Sequence, residues 1–84
     1  MKQENNDPNH PSTERLKKRV GAILHKKRIE KNYTLKAVAL DTGISEGTLS
    51  EIENGRYNFN IDLIQKLAHY YGMSLDELLP IPTT

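Results

Sequence analysis

The sequence predicts an all-α fold of five short helices, because three local features coincide. At four places a capping residue has an apolar residue just before it and another four positions on, an arrangement that fixes how a chain enters a helix. Gly43, Gly55 and Gly72 each fall just past an expected helix end. No run alternates between apolar and polar residues with the period of two that a half-buried strand requires.

Residues 1–12 are polar, contain Pro8 and Pro11, and have no apolar residue after Met1. They read as a disordered tail ahead of a domain spanning 13–80. Helix 1 is expected to start near Ser12 or Thr13 and to run to about Lys31. Leu16, Val20 and Leu24 form its inward line, with Ile23 beside them. One further step of four reaches Arg28, a charge on the apolar side. Thr34 is expected to cap helix 2, with Tyr33 and Val38 as its apolar pair, and Ser45 to cap helix 3, with Ile44 and Leu49. Asn60 caps helix 4 between Phe59 and Ile64. Ser74 caps helix 5 between Met73 and Leu78, and Glu77 completes a Ser-x-x-Glu capping box. Helix 4 is expected to pack through Ile61, Ile64, Leu67, Ala68 and Tyr71, and helix 5 through Leu75, Leu78 and Leu79. Pro80 and Pro82 end the last helix and leave 81–84 as a C-terminal tail.

Composition narrows the function. Eighty-four residues form one domain with a modest core, which favours a binding module over an enzyme with an enclosed pocket. The absence of cysteine excludes a disulfide scaffold and thiolate zinc sites. His10, His25 and His69 are too scattered for a metal centre, so neither metal nor cofactor is expected. Ser45 and Ser50 have no histidine and acid arranged to activate them, so no enzyme is expected either. No apolar run approaches membrane-spanning length, and the first residues lack the hydrophobic stretch of a secretory signal; a cytoplasmic protein without membrane contact is expected. Tyr33, Tyr57, Tyr70 and Tyr71 do not recur along one surface and read as packing or interface residues.

The net charge of +1 conceals a strong asymmetry. From Thr13 to Lys31 the basic residues Arg15, Lys17, Lys18, Arg19, Lys26, Lys27, Arg28 and Lys31 face only Glu14 and Glu30, a net +6. From Asn32 onward Lys36, Arg56 and Lys66 face seven carboxylates, a net −4. A basic first helix can meet phosphate or can simply be a solvated face.

The segment from Leu35 to Asn54 carries the most information. Ala39 is small enough to let two helices approach, Gly43 can adopt the positive φ of a tight turn, and Leu49 and Ile52 face inward from the second helix. These are the offsets of a helix-turn-helix, whose second helix enters the major groove of DNA. Glu53 follows Leu49 by four and so faces inward, as Arg28 does from helix 1. A buried charge needs a partner, and the two are expected to form an ion pair.

Lys17 to Leu79 resembles the five-helix, lambda-repressor-like DNA-binding domain of the phage Cro and repressor type, also called the xenobiotic-response-element family. The resemblance rests on Arg28 six residues before Thr34, Val38-Ala39, Gly43-Ile44-Ser45, Leu49-Ser50, Ile52-Glu53-Asn54-Gly55, and Leu67-Ala68 with Gly72. It implies a sequence-specific regulator of transcription that places helix 3 (about 46–54) in the major groove of double-stranded DNA. It also assigns Arg28 and Glu53 the same structural pairing. Carried over position by position, it implies base reading by Glu46, Gly47, Ser50 and Glu51, with Thr48 as a methyl contact. It implies phosphate contacts by Thr34, Asn54, Arg56 and Asn58, with Lys27 and Lys36 as further electrostatic candidates.

Two departures stand out. Leu35 occupies a position where relatives carry a phosphate-bracing glutamine, and helix 3 has Glu46 and Glu51 but no lysine or arginine. A carboxylate can accept from cytosine, yet phosphates repel it unless basic neighbours compensate. Base reading and a solvated surface charge therefore both remain open for these two glutamates. The alternative function is a protein-interaction module of the same fold that uses the acidic helix 3 surface. Leu75, Leu78, Leu79 and Ile81 add more apolar surface than one small core absorbs and are expected to form a homodimer interface. A near-palindromic operator follows from such a dimer. No small-molecule effector is implied.

Overall fold

A computed structural model describes residues 11–57 and 60–79 of the chain. Five helices follow in order: α1 (Pro11–Glu30), α2 (Leu35–Thr42), α3 (Glu46–Glu53), α4 (Ile61–Tyr70) and α5 (Leu75–Leu78). No strand occurs among the described residues. α1 starts at Pro11, one residue ahead of the expectation; proline suits a first turn, where an amide hydrogen would have no intrahelical acceptor. Phe59, Asn58 and Ile81 lie outside the described residues, as do residues 1–10 and the end of the chain.

The caps act where the sequence places them. The Thr34 hydroxyl accepts from the Ala37 amide at 3.0 Å, Ser45 from Thr48 at 3.1 Å, and the Asn60 side chain from Asp62 and Leu63. Ser74 and Glu77 form the capping box. Each cap answers an amide that the first turn leaves without a carbonyl partner.

Helix ends are equally local. α1, α3 and α4 stop through one hydrogen-bond pattern, in which the third residue past the end bonds back five positions and the second bonds back three. At α1 the bonds are Tyr33 N–H to Arg28 C=O (3.1 Å) and Asn32 N–H to Ile29 C=O (3.0 Å). Asn32 holds a φ of 60°, and asparagine tolerates this left-handed region better than other non-glycine residues. The sequence expectation gave α1 no stop signal of its own; Asn32 is that signal. Between α2 and α3, Gly43 takes φ 79° and donates to Ala39 C=O at 2.8 Å, making the turn of the motif. Thr42, a residue absent from the sequence expectation, is buried and ties this turn together. Its hydroxyl donates to Val38 C=O (2.8 Å) and accepts from Ile44 N–H (3.2 Å).

The core collects Val20 and Leu24 from α1, Val38 from α2, Ile44 just before α3, Leu49 and Ile52 from α3, Ile64, Leu67 and Ala68 from α4, Tyr71, and Leu78 from α5. α1 packs chiefly on α3 and also on α5, while α2 packs on α3 and α4. Ile61 departs from the expected core. It occupies the first position of α4, at the rim of the apolar arc, and is half exposed. Lys17 is a second departure: it lies on the inward side of α1, where its apolar stem is buried while its ammonium reaches Glu14 at 3.0 Å.

Gly21 explains the close seat of α1 on α3. A Cβ there would overlap the Ile52 carbonyl oxygen and lie 2.8 Å from that of Glu53. Backbone atoms at the end of a packed helix cannot step aside. Gly21→Ala therefore lowers stability by roughly 1–2 kcal/mol although alanine is the better helix former by about 1 kcal/mol, because overpacking outweighs propensity. A urea midpoint that falls with an unchanged slope is the expected readout; a higher midpoint contradicts the close approach.

Candidate nucleic-acid interface

The end of α3 is held by one charged constellation. Arg28 Nε donates to Glu53 Oε2 at 2.8 Å and a terminal nitrogen donates to Oε1 at 3.1 Å, a two-pronged pairing. The other terminal nitrogen donates to the Tyr33 carbonyl at 2.9 Å. Both side chains are nearly buried, at 12% and 9% exposure. Hydrogen bonding to Glu53 raises the Arg28 pKa above its already high ordinary value, against the opposing effect of burial. His25, a residue for which the sequence suggested no role, brings Nδ1 within 2.9 Å of Glu53 Oε1.

Tyrosines close the other side of this cluster. The rings of Tyr33 and Tyr71 stack with centroids 6.4 Å apart, and Tyr70 meets Tyr71 edge-on at 5.0 Å. Burial pushes the Tyr71 phenol up to about 12, and the Glu53 carboxylate adds to the effect, so Tyr71 stays neutral beside the pair. The Tyr70 hydroxyl donates to Asp41 at 2.7 Å and ties α4 to α2. Three of the four tyrosines thus pack on one another, and Tyr57 is partly buried against the core.

With Leu49 and Ile52 buried, α3 turns Glu46, Gly47 and Glu51 outward and leaves Thr48 and Ser50 half exposed beside them. A Cβ on Gly47 would meet no described atom within 4 Å, so packing within the described part of the protein does not call for glycine there. Thr48 Oγ1 accepts a bond from Ser45 (2.9 Å), and the Asn54 amide donates to Ser50 C=O (2.8 Å), which closes the last turn of α3. Thr34 and Lys36 are exposed at the start of α2, and Arg56 is exposed just after α3.

The structure does not bring all of the expected site residues together. Lys27 sits apart from the other phosphate candidates. It lines a cleft of about 240 Å³ with Ile23, Lys26, Glu30, Met73 and Glu77, on the flank of α1 nearest the start of α5, and its ammonium is 3.8 Å from Glu30. Leu78 is 0% exposed and completes the protomer's own core, which removes it from the expected dimer interface; Leu75 and Leu79 are only partly covered. Asn58 and Ile81 fall outside the described residues.

A helix-turn-helix family model matches residues 24–78, most of the described chain. The chain belongs to the Cro/C1-type helix-turn-helix family. Among curated proteins, this helix-turn-helix chain is 32% identical over 50 residues to YvzC of Bacillus subtilis (strain 168), named an uncharacterized HTH-type transcriptional regulator. That match covers 60% of this chain and 65% of the relative, a little under two thirds of the relative's length. Among solved structures, it is similar to the clp gene regulator ClgR from Corynebacterium glutamicum, with 34% identity and a TM-score of 0.70 over 77% of this chain and 69% of that one.

The Arg28–Glu53 pair sits where the helix-turn-helix meets α1, so its loss reaches the whole domain. Arg28→Ala costs roughly 3 kcal/mol, the low end for breaking a buried pair because His25 still contacts Glu53. Urea midpoints of Arg28→Ala, Glu53→Ala and the double variant are expected to show strong coupling. Additive losses of a few tenths of a kcal/mol would remove the pair from this account.

Proposed function

We propose that this helix-turn-helix protein is a DNA-binding regulator of transcription that inserts α3 into the major groove of a specific duplex. One observation carries the reading: α3 projects Glu46, Gly47, Ser50 and Glu51 from the side opposite its buried Leu49 and Ile52, between the exposed start of α2 and exposed Arg56. In this reading Glu46, Gly47, Thr48, Ser50 and Glu51 meet base edges, and Thr34, Lys36, Asn54 and Arg56 hold the backbone. In the same reading, first-turn amides of α2 and α3 that their caps leave free are further donors to the phosphate backbone. No helix among the described residues is long and apolar enough to cross a membrane.

The two classes of contact separate by experiment. Arg56→Ala weakens binding to every duplex alike and lowers the salt slope by about 1, as a lost phosphate contact does. Ser50→Ala and Glu46→Ala instead change the preferred base at one position of each half-site. Competition among duplexes that differ at single positions reads both effects; unchanged base preference in both α3 variants would contradict the assigned roles.

The same proposal makes the protein a homodimer through Leu75 and Leu79, which the protomer leaves partly uncovered beside Met73. Two-fold symmetry then sets recognition helices about 34 Å apart and gives a near-palindromic operator. Sedimentation is expected to show a wild-type dimer and a folded, monomeric Leu79→Asp variant. A wild type that stays monomeric at high micromolar concentration, both free and on DNA, would overturn the dimer.

A further inference from the structure

α3 contains no lysine or arginine, and Arg28 is committed to Glu53. The exposed carboxylates of Glu46 and Glu51 therefore face a duplex that carries one negative charge per roughly 1.7 Å of its length. Cations that offset this repulsion must come from neighbouring elements. Lys36 and Arg56 supply two.

α1 supplies more, in an ordered stripe. Arg15, Lys18, Arg19 and Lys26 recur at helical spacings that place them on one face, and all four are exposed. The opposite face carries Val20 and Leu24, each 1% exposed. Acids leave most of the stripe uncancelled: Glu14 is taken up by buried Lys17 at 3.0 Å, while Glu30 and Glu77 lie only at its far end, where exposed Lys26 borders the cleft that Lys27 lines. From Arg15 to Lys26 it runs about 16 Å at roughly 1.5 Å per residue, close to five base-pair steps of about 3.4 Å.

The stripe is physically joined to the end of α3. A Cβ on Gly55 would lie 3.0 Å from Lys18 Cα, so α1 rests directly on the turn between Asn54 and Arg56. Arg15, Lys18 and Arg19 also precede the segment that the helix-turn-helix family model matches, residues 24–78. They belong to the part of α1 that extends beyond it.

We infer that this stripe is a second contact surface for DNA, which grips the phosphate backbone of the duplex flanking the sequence read by α3. The inference rests on the DNA-binding reading above and adds a partner surface to it. It supplies affinity without base preference, because phosphate contacts carry no sequence information directly. Binding by a protein with an acidic recognition helix then depends on how much duplex extends past its operator.

The test compares wild type with the triple variant Arg15→Gln, Lys18→Gln, Arg19→Gln and with Lys26→Gln, since glutamine keeps the inner methylenes that pack near Gly55. Each is titrated over a salt series with a duplex that has long flanks and with the same duplex trimmed to the recognised sequence. Wild type is expected to lose affinity and salt slope on trimming. On the long duplex the triple variant shows a slope lower by about 2 to 3 and Lys26→Gln one lower by about 1, with preference among sequences unchanged. A triple variant that merely unfolds would lose that preference as well, and Lys26→Gln then decides. Should wild type bind duplex while both variants match its slope on the long duplex, the stripe falls and the DNA-binding reading stands. Should wild type bind no duplex even at low salt, both fall.

Discussion

The guanidinium of Arg28 joins three stretches of chain that are distant in sequence. α1 carries it, Glu53 at the last position of α3 accepts two of its hydrogen bonds, and the Tyr33 carbonyl ahead of α2 accepts another. The Arg28 carbonyl also accepts the Tyr33 amide and ends α1. One residue thus sets where α1 stops, how the chain enters α2, and where α3 ends. Charges this well covered are expensive unless paired, so the interaction holds α3 in one position more firmly than apolar packing alone would. Gly21, two turns earlier on the same face of α1, works on the same junction, because its lack of a side chain lets α1 approach the Ile52 and Glu53 carbonyls.

Firm placement matters because α3 has little charge attraction of its own to offer. Its outward carboxylates oppose phosphates, so a base contact by Glu46 or Glu51 forms only where geometry presents the carboxylate to a donor such as the cytosine amino group. A loosely held helix would swing such a group toward the backbone and lose the contact to repulsion. In the proposed reading, rigidity from Arg28, Thr42 and the tyrosine stack, together with positive charge on Lys36, Arg56 and α1, is the combination that lets an acidic helix approach a polyanion.

The local features of this fold were legible in the sequence and the long-range ones only in part. Thr34, Ser45, Asn60 and Ser74 announce helix starts because a cap and its hydrogen-bond partner lie within three residues of each other. Arg28 and Glu53 were readable because each lies on an inward helical line where a lone charge is untenable. Gly21 and Thr42 were not, since each answers to a neighbouring backbone whose position follows from packing. Lys27 was grouped with the phosphate candidates because net charge does not say which flank of α1 faces α5. Leu78 was counted toward both the core and a dimer interface because apolar content does not say how much of it one protomer absorbs; its full burial shows that α5 is chiefly a lid on the core. Asn32 was readable in principle, as an asparagine at a helix end.

The central claim, that α3 reads a specific duplex, is tested most directly by selection from a random-sequence duplex pool through repeated gel-shift separation at low salt. The account predicts enrichment of a near-palindrome with half-sites about one helical turn apart, centre to centre. Persistent failure to enrich any sequence would contradict it and would assign the acidic face of α3 to a protein partner instead.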